Sequence, residues 1–233
     1  MIQGRKQIEY PASEKRAVLM FVRTPEKGKV KSRLSGVLGE EITLELYKNF
    51  VMDLIETLNR GKFHFSIYFY PPDSKEKMVS WLGSKYSFMP QEGNDLGERM
   101  KNAFTLSFLQ EFRHVIAIGS DSPDLPDKII EKAFLSLVNN DSVIGPCFDG
   151  GYYLIGFRSE TFIPDPFKGI EWGTDNVFEN TLKILKENYQ KTHILPKWRD
   201  IDRHEDLIRF AAMNKDRPSN TMRCLLSHKE ILE

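Results

Sequence analysis

Short apolar runs alternate along this chain with longer amphipathic segments. The first run is AVLMFVR, Ala17 to Arg23, and its unbroken apolar character is typical of a strand that is buried on both faces. Residues 40–61 then repeat apolar side chains every three to four positions, which predicts an amphipathic helix that ends at Gly61. A chain that begins in this way is expected to form an α/β fold.

The same alternation continues through most of the sequence. Further strands are predicted at 62–70, 115–118, 141–148 and 152–157. Further helices are predicted at about 74–82, 94–112 and 127–138. Short links join these segments, and the two late strands near 143–157 resemble an antiparallel hairpin. We therefore expect a three-layer α/β/α sandwich with a mostly parallel sheet.

Length and composition favour one domain. The chain has 233 residues, of which 40% are hydrophobic, enough for a single full core. Residues 1–16 are polar and are predicted to form a flexible N-terminal extension, and residues 17–233 to form the domain. Lys plus Arg equals Asp plus Glu at 33 each, a balance that argues against a dedicated nucleic-acid binder.

The cysteine content and the hydropathy of the sequence indicate the cellular compartment of the protein. The two cysteines, Cys147 and Cys224, show no metal-binding spacing and no disulfide framework. The N-terminus has no apolar core of a signal peptide, and no apolar run approaches the ~20 residues that span a bilayer. We expect a cytoplasmic protein without a membrane span. The sequence does not indicate its oligomeric state.

The loop RTPEKGKVKSRL follows the first predicted strand, where an open α/β sheet binds its ligands. It carries five cations, Arg23, Lys27, Lys29, Lys31 and Arg33. Glu26 is the one acidic residue among them, and an extended loop would place the alternate lysines and Arg33 on one side. Such a cluster suits a diphosphate or triphosphate, although a solvated charged loop fits equally well. The spacing of a Walker-type phosphate loop is absent.

The motif HVIAIGSDSPDLP follows a later buried strand. Asp121 stands where the sheet edge meets solvent, a position that suits an oxygen ligand to Mg²⁺ or Mn²⁺. Asp124 lies beside prolines at a helix start, where a carboxylate interacts favourably with the helix dipole. We therefore predict a metal at Asp121 and a structural role for Asp124.

Two later motifs allow a structural and a functional interpretation. The sequence Asp149-Gly150-Gly151 favours a tight turn, but the glycines would also leave room for a sugar beside the carboxylate. Trp172 precedes a helix that Thr174 is predicted to cap. An indole there can stack on a sugar or base, or belong to the core.

The segment RDIDRHEDLIRF contains a possible capping box formed by Asp202 and Glu205 before an apolar run. His204 within it is either a metal ligand or simply exposed.

Taken together, the motifs resemble a known family. FVRTPEKGKVKSRL, NDLGERM, IGSDSPDL, GPCFDGGYYLIGF, WGT and DIDRHEDL occur in the order found in the bacterial DUF2064 group. Its members, also called radical-SAM/selenodomain-associated transferases, are similar to nucleotide-diphospho-sugar transferases of the GT-A type. The resemblance spans Ala17 to Phe210 and implies a GT-A fold. It leaves the roles of Asp202 and His204 open.

The resemblance also implies the site residues. On this basis the residues that bind the nucleotide and its phosphates are Arg23, Lys27, Lys31, Arg33, Asp95, Gly97 and Arg99. Asp121, as metal ligand, and Asp149 are implied to be catalytic. The acceptor or sugar side is expected to comprise Gly150, Gly151, Trp172 and Thr174.

Three functions are consistent with these expectations. The first is transfer of a sugar from a nucleotide-diphosphate donor to a small-molecule acceptor, assisted by Mg²⁺ or Mn²⁺. The second is nucleotidyl transfer, similar to that of guanylyltransferases, which releases pyrophosphate. The third is nucleotide binding without catalysis.

Overall fold

The structure, a computed structural model, describes residues 15–228 and residue 231. Most of the predicted N-terminal extension, residues 1–14, lies outside the described residues. The first strand already begins at Arg16, one residue before the predicted boundary of the domain.

Seven strands form one sheet in the described part of the chain. They are β1 (Arg16–Arg23), β2 (Phe65–Tyr70), β3 (Ser87–Pro90), β4 (His114–Ile118), β5 (Ser142–Pro146), β6 (Tyr152–Arg158) and β7 (Thr192–Ile194). Their order across the sheet is β3-β2-β1-β4-β6-β5-β7. β6 runs antiparallel to both of its neighbours, and the other pairs are parallel. The predicted antiparallel pair near 143–157 is therefore confirmed.

Eight helices flank the sheet within the same described residues. They are α1 (Ser32–Leu38), α2 (Glu40–Arg60), α3 (Lys75–Leu82), α4 (Leu96–Leu109), α5 (Asp127–Leu137), α6 (Val177–Glu187), α7 (His204–Asn214) and α8 (Asn220–Ser227). None of these helices has both the length and the apolar character needed to cross a membrane.

Apolar clusters cover both faces of the sheet. Val18, Met20 and Val22 of β1 point into the core that α2, α5, α7 and α8 cover. Leu19, from the same strand, joins a second core around Phe104 of α4 on the opposite face. A strand whose alternate side chains enter two cores must be apolar throughout, which explains the unbroken run AVLMFVR. The expected three-layer α/β/α sandwich with a mostly parallel sheet is confirmed.

The loop after β1 does not have the extended form that would place its cations on one side. Gly28 has a φ of 70° and Lys31 a φ of 48°, so the chain turns twice before α1 begins at Ser32. Arg33 consequently lies on a helix, and the cations do not share one side of an extended segment.

Two predicted helix caps are also wrong. Thr174 does not cap α6, which begins at Val177, and its hydroxyl instead donates to the carbonyl oxygen of Glu171 at 2.9 Å. At α7 the residue that closes the first turn is Asp206 rather than Glu205. Its carboxylate accepts the main-chain N–H of Arg203 at 2.9 Å, which leaves the Asp202 side chain available for another partner.

The sheet topology brings three connecting segments together. β1, β4 and β5 point in the same direction, so the loops that follow them leave the same edge of the sheet. These loops are residues 24–31, 119–126 and 147–151, which contain the charged motifs singled out in the sequence. Any ligand shared by these motifs would bind at this edge.

Phe104 on α4 tests the smaller core. Its side chain is fully buried and its ring lies 5.2 Å from that of Phe157, centroid to centroid. We expect Phe104→Ala to lower the free energy of unfolding in urea by about 3–5 kcal/mol, because it removes buried area and leaves a cavity. Leu109 ends the same helix with 77% of its surface exposed, so Leu109→Ala should have little effect. Equal losses in both variants would contradict this assignment of the core.

Candidate active-site cleft

A cleft of about 1100 Å³ opens at the carboxyl edge of the sheet. The three loops after β1, β4 and β5 line it. Further lining comes from residues of β1, β2, β4 and β6, from the start of α4, from residues 172–175 and from Asp200, Asp202 and Arg203. Its volume is large enough for a ligand of nucleotide-sugar size.

At the base of the cleft a buried lysine bridges two aspartates. Lys31 Nζ lies 2.6 Å from Asp121 Oδ1 and 2.6 Å from Asp202 Oδ1. The lysine side chain is only 6% exposed, whereas both carboxylates reach the cleft. Burial disfavours the lysine cation, but the two carboxylates outweigh it and raise the pKa of Lys31 above its ordinary value. The group is therefore a fixed positive charge.

Main-chain hydrogen bonds hold residues 198–202 against the loops of the sheet edge. The N–H of Ile201 donates to the carbonyl oxygen of Asp121 at 2.9 Å, and the N–H of Trp198 donates to that of Pro146 at 3.0 Å. These bonds place Asp200 and Asp202 on either side of buried Ile201. Two carboxylates from a distant part of the sequence thus join Asp121.

A second acidic group lies on the side of the cleft formed by the loop after β5. The side-chain ligand atoms of Cys147, Asp149 and Asp200 all lie within 4.8 Å of one another. Burial, and next the charge of Asp149, raise the pKa of Asp200 to about 7. Burial likewise raises the pKa of the Cys147 thiol well above its usual range. For Asp202 the Lys31 ammonium outweighs burial and lowers the pKa.

The donor set fits a hard divalent cation. Asp121 and Asp202 present carboxylate oxygens at one point, and Asp149 and Asp200 add two more nearby. Mg²⁺ and Mn²⁺ prefer such oxygen ligands together with substrate phosphates. The neutral thiol of Cys147 is a poor ligand for these ions.

Three of the predicted phosphate-binding arginines line the cleft. Arg23 donates from Nη1 to the carbonyl oxygen of Lys29 at 3.0 Å, and Arg33 Nη1 lies 3.3 Å from Asp202 Oδ2. The guanidinium of Arg99 stacks 3.7 Å from the ring centre of Tyr70. They leave cationic groups facing the same space as the carboxylates, as recognition of a metal-bound phosphate requires.

Three other residues that were predicted to bind the nucleotide and its phosphates, Lys27, Asp95 and Gly97, do not line the cleft. Lys27 is exposed and pairs with Glu41 of α2. Asp95 is the N-cap of α4, where its Oδ1 accepts the N–H of Glu98 at 2.8 Å. Its position is structural, because it satisfies a helix N–H that has no partner within the helix. That Lys27 and Asp95 contact the nucleotide stays a prediction.

Two predicted glycines are required for close packing. A Cβ on Gly97 would lie 2.1 Å from the carbonyl oxygen of Phe167 and 3.0 Å from the indole of Trp172. A Cβ on Gly150, whose φ is 91°, would lie 1.9 Å from the carbonyl oxygen of Asp175. Both glycines thus let the segment 167–175 close over one side of the cleft.

The acceptor-side residues come together as the sequence suggested. Asp149, Gly150, Gly151, Trp172 and Thr174 all line the cleft. The link between β5 and β6 is also a turn, because Asp149 Oδ1 accepts the N–H of Gly151 at 2.9 Å. Trp172 is half-buried, with its ring edge-on to that of Tyr152 at 6.4 Å between centroids. The structural and functional interpretations of these motifs are therefore compatible.

Asp124 and His204 make contacts outside the cleft lining. Asp124 does have a structural role, but not at the helix start. Its carboxylate accepts Trp198 Nε1 at 2.9 Å and Asn214 Nδ2 at 3.2 Å, while α5 begins at Asp127. His204 Nε2 lies 2.6 Å from the carbonyl oxygen of Ile231, away from the residues that line the cleft.

The sequence reasoning did not assign Asp200 and Asp202 to the site. The available signal was the alternation of Asp200 and Asp202 around apolar Ile201, a pattern that places both carboxylates on one side of an extended segment. The capping box predicted for Asp202 and Glu205 already explained the carboxylate of Asp202, so this alternation was not interpreted as a sign of a site.

Comparisons with known proteins identify the family of the chain. Residues 54–174 match the family of uncharacterized proteins conserved in bacteria, DUF2064. The structure is also similar to that of a candidate nucleotide-diphospho-sugar transferase from Desulfovibrio desulfuricans G20. The two share 39% sequence identity and a TM-score of 0.90, over 94% of this chain and 97% of that one. The chain belongs to the DUF2064 family.

More distant structures share the fold alone. A CMP:2-keto-3-deoxy-manno-octonic acid synthetase complexed with CTP is 8% identical, with a TM-score of 0.56 over 88% of this chain and all of that one. A cytidylyltransferase from Leptospira borgpetersenii is 15% identical, with a TM-score of 0.55 over 94% of this chain and 97% of that one. This DUF2064 protein therefore has a nucleotide-diphospho-sugar transferase-like fold.

The raised pKa of Asp200 predicts a pH-dependent stability. An unfolded aspartate has a pKa of about 3.9, so the folded protein binds the additional proton and loses stability as the pH rises from there to about 7. Asp200→Asn removes this loss. We compare the free energy of unfolding of the variant with that of the unchanged protein. After allowance for partial exposure, we expect the difference in favour of the variant to be roughly 1–3 kcal/mol larger at pH 8.5 than at pH 5.

Urea unfolding in buffer with EDTA measures this difference without interference from metals. Asp165→Asn is the control, because that carboxylate pairs with Lys168 at the surface, and its effect should be similar at both pH values. An Asp200→Asn effect that does not change with pH would contradict the prediction.

Proposed function

We propose that this DUF2064 protein transfers a sugar from a nucleotide-diphosphate donor to a small acceptor, assisted by Mg²⁺ or Mn²⁺. The observation that carries the proposal is the convergence of Asp121 and Asp202 at one point of a cleft that Arg23, Arg33 and Arg99 also line. Acidic ligands for a metal beside cations for phosphates are what a metal–diphosphate complex needs.

The residues divide into a donor side and an acceptor side. Asp121 and Asp202 would hold the cation, which supplies electrostatic stabilisation of the leaving diphosphate when bound. Arg23, Arg33 and Arg99 would bind and orient the phosphates. This arrangement neutralises the charge that builds up as the bond between the sugar and the diphosphate breaks.

The acceptor side lies around Asp149. Its carboxylate faces the cleft next to Gly150 and Gly151, which leave space for a sugar ring, while Trp172 and Thr174 line the same region. In the reaction an acceptor hydroxyl oxygen bonds to the anomeric carbon of the sugar. The nucleoside diphosphate leaves, and Asp149 takes the hydroxyl proton.

Nucleotidyl transfer is the second candidate, and it is favoured by the fold that the chain shares with a cytidylyltransferase and with a synthetase complexed with CTP. In that reaction an acceptor oxygen attacks the α-phosphate of a nucleoside triphosphate, and pyrophosphate leaves. The same cation and arginines would neutralise the triphosphate. The two reactions differ in their products, because sugar transfer releases a nucleoside diphosphate and nucleotidyl transfer releases pyrophosphate.

A thermal-shift screen with nucleoside triphosphates, diphosphates and nucleotide sugars, each with and without Mn²⁺, identifies the ligand class. We expect the largest rise in melting temperature with a nucleotide sugar and Mn²⁺ together. Product analysis of the best ligand then separates the candidates. Binding without any product would favour a non-catalytic nucleotide-binding protein, and no shift with any ligand would exclude all three functions.

Asp121 tests the metal site directly. We expect Asp121→Asn to lower the rate of product formation by about 10²–10³-fold, because the variant loses a charged ligand that acts on the leaving group. Asp127→Asn is the matched control, since that carboxylate lies six residues later, outside the cleft lining, and contacts Arg60. Full activity of Asp121→Asn with Mg²⁺ or Mn²⁺ would contradict the proposed metal site.

A further inference from the structure

The ammonium of Lys31 occupies the point where the carboxylates of Asp121 and Asp202 converge. Both nearest carboxylate oxygens lie 2.6 Å from Nζ, and the lysine side chain is almost completely buried. The lysine reaches this position from a left-handed backbone conformation, with φ 48° and ψ 49°, directly before α1. Non-glycine residues adopt this conformation uncommonly, and here it directs the side chain into the cleft floor.

A divalent cation held by the same two carboxylates would need the same space. Mg²⁺ binds carboxylate oxygens at about 2.0–2.1 Å, so an ion shared by Asp121 and Asp202 would lie almost where Nζ lies. The repulsion between a divalent cation and an ammonium at such a separation is strong in a partly buried site. The ammonium of Lys31 and a divalent cation therefore cannot bind this carboxylate pair at the same time.

We propose that Lys31 is a built-in competitor of the divalent cation. Without metal, its ammonium neutralises Asp121 and Asp202 and keeps their two segments together. When the cation binds, the ammonium leaves the carboxylate pair and turns towards the phosphates of the nucleotide. This inference rests on the metal site of the proposed function. It adds that the metal binds weakly in the absence of nucleotide, because the metal must displace Lys31.

The neighbouring cations do not share this role. Arg33 contacts the other oxygen of Asp202 at 3.3 Å and is largely exposed, so a metal can bind without displacing it. Lys27 lies outside the cleft lining and pairs with Glu41. Among the basic residues of this loop, Lys31 is thus the one placed to block the metal position.

Binding of Mn²⁺ alone, followed by the electron paramagnetic resonance signal of free Mn²⁺, tests the competition. We expect Lys31→Met to bind Mn²⁺ at least tenfold more tightly than the unchanged protein, because the competing charge is gone. Lys27→Met, the matched control, should bind as the unchanged protein does. In the double variant Lys31→Met/Asp121→Asn the gain should disappear, which assigns it to this carboxylate pair.

Equal or weaker Mn²⁺ binding by Lys31→Met would overturn the proposal, and so would a gain that persists without Asp121. A failure of this kind leaves the proposed function intact if metal-dependent product still forms. Conversely, a tenfold gain in Mn²⁺ affinity without any product would support the competition and contradict the transfer reaction.

A measurement on the unchanged protein covers the case in which Lys31→Met does not fold. The hydrogens of a lysine ammonium held by two carboxylates exchange slowly with water, so its ¹⁵N resonance can be observed. The resonance of Lys31 is assigned by its absence from the spectrum of Lys31→Arg. We expect Mg²⁺ to shift or remove this resonance while the backbone spectrum remains folded. A resonance unchanged at Mg²⁺ concentrations that saturate the protein would overturn the proposal.

Discussion

The ion pairs between Lys31, Asp121 and Asp202 join parts of the chain that lie far apart in sequence. One group follows β1, one follows β4 and one precedes α7. Removing both carboxylates would leave the buried ammonium of Lys31 without a partner, and an uncompensated buried charge is strongly destabilising. The shape of the cleft therefore depends on this charge cluster as much as on the apolar core beneath it.

The sheet makes the cluster possible. β1 and β4 are parallel neighbours, so the residues that follow them leave the sheet side by side. The third group arrives by a different route, since the hydrogen bond from Ile201 to the carbonyl oxygen of Asp121 fastens residues 200–202 to the loop after β4. The carboxylates that line the cleft thus come both from loops that directly follow strands, where open α/β sheets bind their ligands, and from the segment before α7.

The strands and helices that could be predicted from the sequence are those with a repeating local pattern of apolar residues. The buried strand from Ala17 and the long helix before Gly61 were recognisable because their apolar patterns repeat within a few residues. β7 was missed because it is a three-residue edge strand whose Ile194 is exposed. Such a strand carries too short a pattern to be distinguished from a loop.

The site was harder to predict because its partners are distant. Lys31 and Asp202 are 171 positions apart, and no local pattern encodes their contact. The backbone at Lys31 is left-handed, so the loop does not adopt the extended form that was considered for it. Asp202 lies beside the start of α7 and was interpreted as part of a capping box. The carboxylate that accepts a main-chain N–H there is that of Asp206.

The charges of the cleft also constrain how a donor can enter. Asp121, Asp149, Asp200 and Asp202 face the same space as the arginines, and these four carboxylates would repel a diphosphate that approaches them without a cation. Lys31 cannot offset this while it is paired with two of these carboxylates. In the proposed function a divalent cation would change both conditions, because it would neutralise the aspartates and leave the lysine ammonium available for a phosphate. Metal and diphosphate should therefore each strengthen the binding of the other, a reciprocity that thermodynamic linkage requires.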